Sequence, residues 1–416
     1  MGPIALFDKS FVQSLSVDES VWSDHFFMAV VCPIFFVETL ADLAKTPRAG
    51  RTAESEVRII AAKFPEVQGC PCVDYLELST ANMLGHGLPL DGRIPRPGGR
   101  AVSGGGRTGI VYDQSPEDAA FQRWQTEKFA EVERLFAAQW RAALQAIDLR
   151  EIASTFRSLG VNPQSCRSLA EAHQLATQIV SGGQKTHEQV ALAVRMLRIP
   201  QQYHRPISDR WQQMGKPPLS ELAPYTAFVV TVEVFFQICL AAKLIASERN
   251  SNRTDIAYLF YLPFCQVFVS GDRLHRSVAN VFLRPDQEFI WGHDLKADLG
   301  KINAHFLKAP EADRDGGIMR FANHPPTGDA SLVAEIWDRH GFRSRTHHEN
   351  LAPRLKPEDE KRLVAELTDF TNGKTLAPFP LLAEDAEAVS VERRVTKRKG
   401  SWWQLPKDLH VPAEDR

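Results

Sequence analysis

Six cysteines are scattered through 416 residues, too few and too dispersed for a disulfide framework. Only Cys70 and Cys72 lie close, as Gly69-Cys70-Pro71-Cys72, one residue short of a C-x-x-C knuckle, and no second pair completes a zinc site. Charge of one sign is also missing. The formal net charge is -2, so no global field draws the chain to nucleic acid, and such a partner must be met by a local basic patch. The opening Met1-Gly2-Pro3-Ile4-Ala5-Leu6-Phe7-Asp8 lacks the basic and long apolar regions of a secretory signal, which makes a reducing, cytoplasmic setting the expectation. No G-x-x-x-x-G-K-[ST] loop occurs, and the glycines at 98–106 read as flexible loop rather than a phosphate cradle.

Only one apolar run approaches membrane length, residues 224–246, and Glu233, Gln237 and Lys243 interrupt it. A charge near the middle of a span costs about 2.5–3.5 kcal/mol on insertion scales. A helix buried on all sides of a large domain accounts for the run better, and no membrane partner is expected.

The remaining pattern is α/β at both ends of a long interval. Ile4-Ala5-Leu6-Phe7 and Met28-Ala29-Val30-Val31-Cys32 are short apolar runs that suit buried parallel strands. Pro33 opens a helix at its favoured first position. From Thr46 to Ser115 glycine and proline predict loop. Helical signals follow: Ser115-Pro116-Glu117-Asp118 as a start, then Val132, Leu135, Phe136, Trp140, Ala143 and Leu144 at helical spacing. Ser168-x-x-Glu171 and Thr186-x-x-Gln189 fit capping boxes. A helix from Thr254-Asp255, a strand over 266–270, a turn at Gly271-Asp272, a helix near 273–283 and a strand at Glu288-Phe289-Ile290-Trp291 restore the α/β texture. Residues 1–46 and 222–306 are therefore expected to form one discontinuous core. Residues 47–221 then make a loop-rich and helical insertion, and 307–416 a C-terminal extension with helices near 329–340 and 357–370.

Asp8 and Asp272 each follow a predicted parallel strand, at the edge where ligands bind in open α/β sheets. Asp255 begins the helix before the second of these strands, and Glu38 lies on the helix after the strand at 28–32. Four such carboxylates suit one or two Mg²⁺ or Mn²⁺ ions, which take oxygen ligands and keep several waters. Each acid also has an ordinary reading: Asp8 and Asp272 as helix caps, Asp255 as a charge favoured at a helix start. For Glu38 the balance tips towards metal. Asp42 lies four residues on, and like charges at that spacing repel unless a cation, or Lys45 at the helix end, relieves them.

These residues carry a resemblance. Leu6-Phe7-Asp8-Lys9-Ser10 resembles the opening of a PIN-like domain, a strand ending in Asp-x-Ser, and Pro33 to Leu40 resembles its second motif, a helix bearing one Glu. Residues 255–272 are similar to its last two motifs, a helix Asp followed by a strand and Ser-x-Asp. The resemblance implies a PIN-like parallel sheet flanked by helices, here with a large, mostly helical insertion. It also implies a metal-dependent nuclease, most often an endoribonuclease, with Asp8, Glu38, Asp255 and Asp272 as metal ligands, Ser10 and Ser270 supporting them, RNA as partner, and a homodimer. The long interval before Asp255 leaves Glu233, Asp74 or Asp113 as alternatives for the third acid.

Two rival readings stand beside it. A haloacid-dehalogenase-type phosphatase needs a second Asp two residues after the first, where Ser10 stands. A PIN-like fold that binds RNA or protein without cleavage suits the near-neutral charge, though all four acids are retained. Candidate nucleic-acid contacts are Arg273 and His275 after Asp272, and a basic aromatic tail of Arg393, Arg394, Lys397, Arg398, Lys399, Trp402 and Trp403. The ordinary readings of the tail are a solvated basic segment, or a tryptophan pair that docks it. His347-His348 has no third ligand in sight.

Overall fold

The computed structural model describes residues 2–183, 185–326, 331–342, 356–376 and 386–409. Five strands form one parallel sheet: β1 (Ile4–Phe7), β2 (Met28–Val31), β3 (Gly69–Pro71), β4 (Val267–Ser270) and β5 (Glu288–Trp291), in the order β3-β2-β1-β4-β5. In register, Leu6 pairs with Val30 on one side and Phe268 on the other, and Ser270 pairs with Trp291. Ala5, Leu6 and all of β4 are buried, as continuous apolar strands covered by helices must be.

The four strands expected from sequence lie in this one sheet, although more than half of the chain separates β2 from β4. The fifth was missed. β3 is only three residues long and contains Pro71, tolerable because it lies at the sheet edge. The segment from Thr46 to Ser115 is accordingly not loop throughout. It holds helices Ala53–Ala61 and Tyr75–Leu84 and the antiparallel strands Arg100–Gly104 and Arg107–Tyr112. Gly105 and Gly106, both at positive φ, make the two-residue turn between those strands, a conformation that glycine pairs adopt without steric cost. Lys374–Thr375 and Ala388–Val391 extend the hairpin to four strands, packed over Val102, Val111 and Phe370.

Helix Pro224–Ala241 is long and apolar enough to cross a membrane, yet it is buried within the fold, against helices Tyr75–Leu84, Leu149–Ser158 and Leu169–Ser181. Its Glu233 is balanced by an ion pair with Arg253. Helix Glu131–Gln145 forms as expected, but several of the apolar residues that announce it stay outside: Val132, Leu135 and Phe136 are exposed, while Glu133 is drawn in by Arg123 at 2.7 Å. Neither expected box closes: Ser168 caps its helix by accepting Glu171 N–H at 3.1 Å, but Glu171 accepts Arg167 N–H, and Gln189 bonds to Gly182 O and Leu219 N. The main cluster of buried apolar residues is continuous from Ala5 to Trp402, so parts of the insertion and the C-terminal segment share the core of the sheet.

Candidate active site

From β1 the chain fills the sheet to one side with β2 and β3, then returns to fill the other with β4 and β5. The crevice outside the carboxyl ends of β1 and β4 is therefore the topological switch point, the usual ligand position in such sheets. Asp8 follows β1 directly and Asp272 follows β4 by two residues. Asp8 Oδ1 caps the next helix by accepting Phe11 N–H at 2.9 Å, and Oδ2 accepts the hydroxyls of Ser10 and Ser270, each at 2.7 Å. Ser10 Oγ accepts Gly271 N–H at 3.1 Å, and Ser270 Oγ accepts Asp272 N–H at 2.9 Å. The two serines thus tie the turn after β4 to the acid after β1. Asp272 Oδ1 caps in turn, accepting Leu274 N–H at 2.6 Å.

His275 is fully buried behind these groups, so it is not a surface contact for nucleic acid. Its Nε2 donates to the Asp255 carbonyl at 2.7 Å, while Nδ1 lies 2.8 Å from Ser270 Oγ and 3.4 Å from Asp8 Oδ2. Burial opposes the imidazolium, but the hydrogen bond to Asp8 and the charges of Asp8 and Asp255 outweigh it and push His275 up to about 9. Burial likewise opposes the Asp8 carboxylate, and His275 outweighs it, holding Asp8 below its ordinary value.

Glu38 and Asp255 close the group. Glu38 Oε2 accepts the Tyr258 hydroxyl at 2.8 Å. The repulsion between Glu38 and Asp42 is relieved by a side chain the sequence reading passed over. Lys9, buried, donates to Asp42 Oδ2 at 2.6 Å and to the Glu38 carbonyl at 3.0 Å, with Glu38 Oε1 at 4.0 Å. Lys45 adds a contact of 2.5 Å to Asp42. Asp255 is pushed up to about 7, first by burial; His275 pulls the other way, and the charges of Glu38, Asp272 and Asp8 add to the rise. Glu38, Asp272 and Asp8 thus all lie within electrostatic reach of Asp255. Of the alternatives, Glu233 is committed to Arg253, Asp74 caps helix Tyr75–Leu84 through Leu76 N–H, and Asp113 pairs with Arg100 at 3.4 Å.

The donor set suits a hard divalent cation, since it consists of carboxylate oxygens at a site where negative charge is already costly. The oxygens are not drawn together: among the described residues no three His, Cys, Asp or Glu side chains are arranged to hold a metal ion. Asp8 is saturated by its serines and cap, and Glu38 leans on Tyr258, whereas the Asp255 carboxylate and Asp272 Oδ2 accept no hydrogen bond from the described residues. Asp255 and Asp272 thus keep carboxylate oxygens without a hydrogen-bond donor among the described residues.

The titrations give a pH expectation. Asp255, raised from 3.8 to about 7, favours folding fully below 3.8, and that advantage is lost as pH rises through 7. His275, raised from 6.5 to about 9, contributes fully below 6.5 and loses its contribution as pH rises through 9. Metal-free stability should therefore carry a falling component from pH 4 to 9. Mn²⁺ should counter the Asp255 part of it, because the ion competes with the proton. Chemical denaturation across this range, with EDTA or with Mn²⁺, checks it, and His275→Gln should remove the fall between 6.5 and 9.

Compared with models of known protein families, with curated proteins and with solved structures, the chain matches none.

The tail departs from the expected nucleic-acid surface. Trp402 is fully buried, Lys399 is buried with Nζ donating to Phe64 O at 2.6 Å, and Arg393 donates to Val67 O. Lys397 donates to Lys407 O and Leu409 O, each at 2.7 Å. These side chains fasten the segment to the core and offer no free charge or ring. Arg394 and Arg398 remain exposed, the latter over the half-buried Trp403 ring at 5.2 Å. Arg273 is exposed beside Asp272 and forms no ion pair among the described residues. His347 and His348 lie outside the described residues.

Proposed function

We propose that the chain is a PIN-like, metal-dependent nuclease that hydrolyses phosphodiester bonds, with RNA as its substrate. The observation that carries this reading is the placement of Asp8 and Asp272 just past the carboxyl ends of β1 and β4, at the switch point of the sheet, tied together through Ser10 and Ser270, with Asp255 close enough to feel their charge. Gathering four carboxylates at one sheet edge is a costly arrangement, and a bound cation gives them a purpose. Mg²⁺ or Mn²⁺, when bound, supplies an activated water and steadies the leaving oxygen.

The protein's own contribution is placement. Asp272 and Asp255 present free carboxylate oxygens, with Glu38 held by Tyr258 at the rim. Asp8 is locked by Ser10, Ser270 and His275, which keep it ionised and fixed in orientation. Arg273, next to Asp272, is positioned to meet a substrate phosphate.

A second reading, a PIN-like fold that binds RNA or protein without cleaving, is favoured by Lys9 and His275, which already bring two positive charges into the acid cluster. Incubating the pure protein with labelled RNA and DNA, in Mn²⁺ or in EDTA, separates the two. The nuclease reading expects RNA cleavage in Mn²⁺ that EDTA abolishes. Intact RNA and DNA in both conditions would leave the binding scaffold.

A further inference from the structure

We infer that Trp291, at the carboxyl end of β5, is a stacking platform for an unpaired base and directs a single strand across the acid cluster. This rests on the nuclease reading for its substrate class, and adds a residue and a strandedness that the acids do not specify.

The position follows from register. Trp291 pairs with Ser270, whose hydroxyl is bonded to Asp8, so only β4 separates the strand of Trp291 from the strand that leads to Asp8. The spacing is fixed by contact. A Cβ on Gly292 would lie 3.0 Å from Gly271 N, from Ser270 C and from Phe11 Cδ2, so residue 292 packs closely against the turn that carries Asp272 and a larger residue would push the two apart. Trp291 is therefore held at the same sheet edge as Asp8 and Asp272.

The surroundings of the ring are those of a nucleic-acid contact. Trp291 is only half-buried, and the Arg276 guanidinium lies over it, 4.9 Å from the ring centre. His293, exposed, is tilted against it with ring centres 5.2 Å apart. Arg276 is exposed and forms no ion pair among the described residues, and neither does Arg273 one turn earlier on the same helix. A planar cation over an indole marks a face that also accepts a planar base. Every base has such a face, so stacking captures single strands with little regard to sequence, whereas a duplex keeps its bases inside. Arg273 and Arg276, exposed on the helix that begins after Asp272, are then at hand for the backbone of a stacked nucleotide. A chain of net charge -2 has need of such a local device.

The test is fluorescence anisotropy of the full chain with a labelled single-stranded RNA and with the matching duplex. EDTA is present throughout, so that binding is read apart from cleavage. Trp291→Ala should weaken single-strand binding by on the order of tenfold and leave duplex binding unchanged, while Trp291→Phe should retain most of the affinity. Replacing bases in the RNA by abasic sites should weaken the parent but add little to the loss in Trp291→Ala. Arg276→Gln should lower the salt dependence by about one phosphate contact. The inference is overturned if Trp291→Ala binds the single strand as the parent does, if single strand and duplex lose equally, or if the parent prefers the duplex. Cleavage by the parent in Mn²⁺ with any of those results would leave the nuclease reading standing and remove the platform. Base-dependent binding with no cleavage in Mn²⁺ would do the reverse.

Discussion

Asp272→Asn should eliminate RNA cleavage and most of the stabilisation by Mn²⁺, yet leave the metal-free protein as stable as the parent or slightly more so. The structure separates the two roles of this side chain. As a cap, Asp272 accepts Leu274 N–H through Oδ1, and the amide oxygen of Asn fills that place nearly as well. As a charge, it is one of the groups that raise Asp255, so its loss relieves repulsion and lets the Asp255 carboxyl fall from about 7. As a ligand, it offers the free Oδ2. Outer groups around a metal cost about 10–100-fold in affinity or activity when removed, so loss of a direct ligand should exceed about 100-fold. The measurements are melting temperature with and without Mn²⁺ for both proteins, beside the cleavage assay. A ligand that binds only the folded state raises stability by mass action, so an equal Mn²⁺ shift in parent and mutant would show that Asp272 holds no metal.

The acids were legible because Asp8 and Asp272 follow apolar runs that announce strands, while Glu38 and Asp255 lie on helices announced by Pro33 and by the polar start at Thr254-Asp255. Asp8 after Ile4–Phe7 and Asp272 after Val267–Ser270 needed no knowledge of the interval between them, since two buried parallel strands of one core have few places to go but side by side. Tyr258 was within reach too: it lies three residues after Asp255, on the same helix face. Trp291 ends a predicted strand and shares the acids' edge by the same logic.

What stayed hidden depends on contacts that no local pattern encodes. Lys9 sits in the middle of the Asp-Lys-Ser motif, where a lysine is ordinarily solvated, and only the approach of helix Pro33–Leu40 turns it inward to Asp42. His275 follows an exposed arginine on a short helix, and the distant Asp8 and the Asp255 carbonyl are what bury it. β3 has too few residues to show a period, and its pairing with β2 alone makes it a strand.

The tail shows the same effect at the largest scale, and Trp402→Ala should destabilise the fold by about 3–5 kcal/mol, the range for a fully buried aromatic truncated to alanine. Trp402 meets Trp22 edge to face at 4.7 Å and Phe321 at 6.1 Å. Its Nε1–H and that of Trp22 both donate to Asn303 Oδ1, at 2.8 and 3.0 Å, so one amide oxygen joins a helix beside the sheet, the helix carrying Asn303 and the tail. Around it Lys399 reaches Phe64 O, and Thr396 N–H and Gln404 bind Glu66, which would lose partners if the tail came away. Cutting at residue 391 would thus remove part of the core, and weaker RNA binding by such a truncation would report unfolding. Substituting the exposed Arg394 and Arg398 with Gln asks about RNA without that confusion. Their stability should match the parent, and any fall in the salt dependence of RNA binding would count the phosphates they meet. Urea unfolding of Trp402→Ala, set beside RNA affinity of the arginine variants, makes the distinction. A Trp402→Ala midpoint equal to the parent's would mean that the tail is a surface appendage after all.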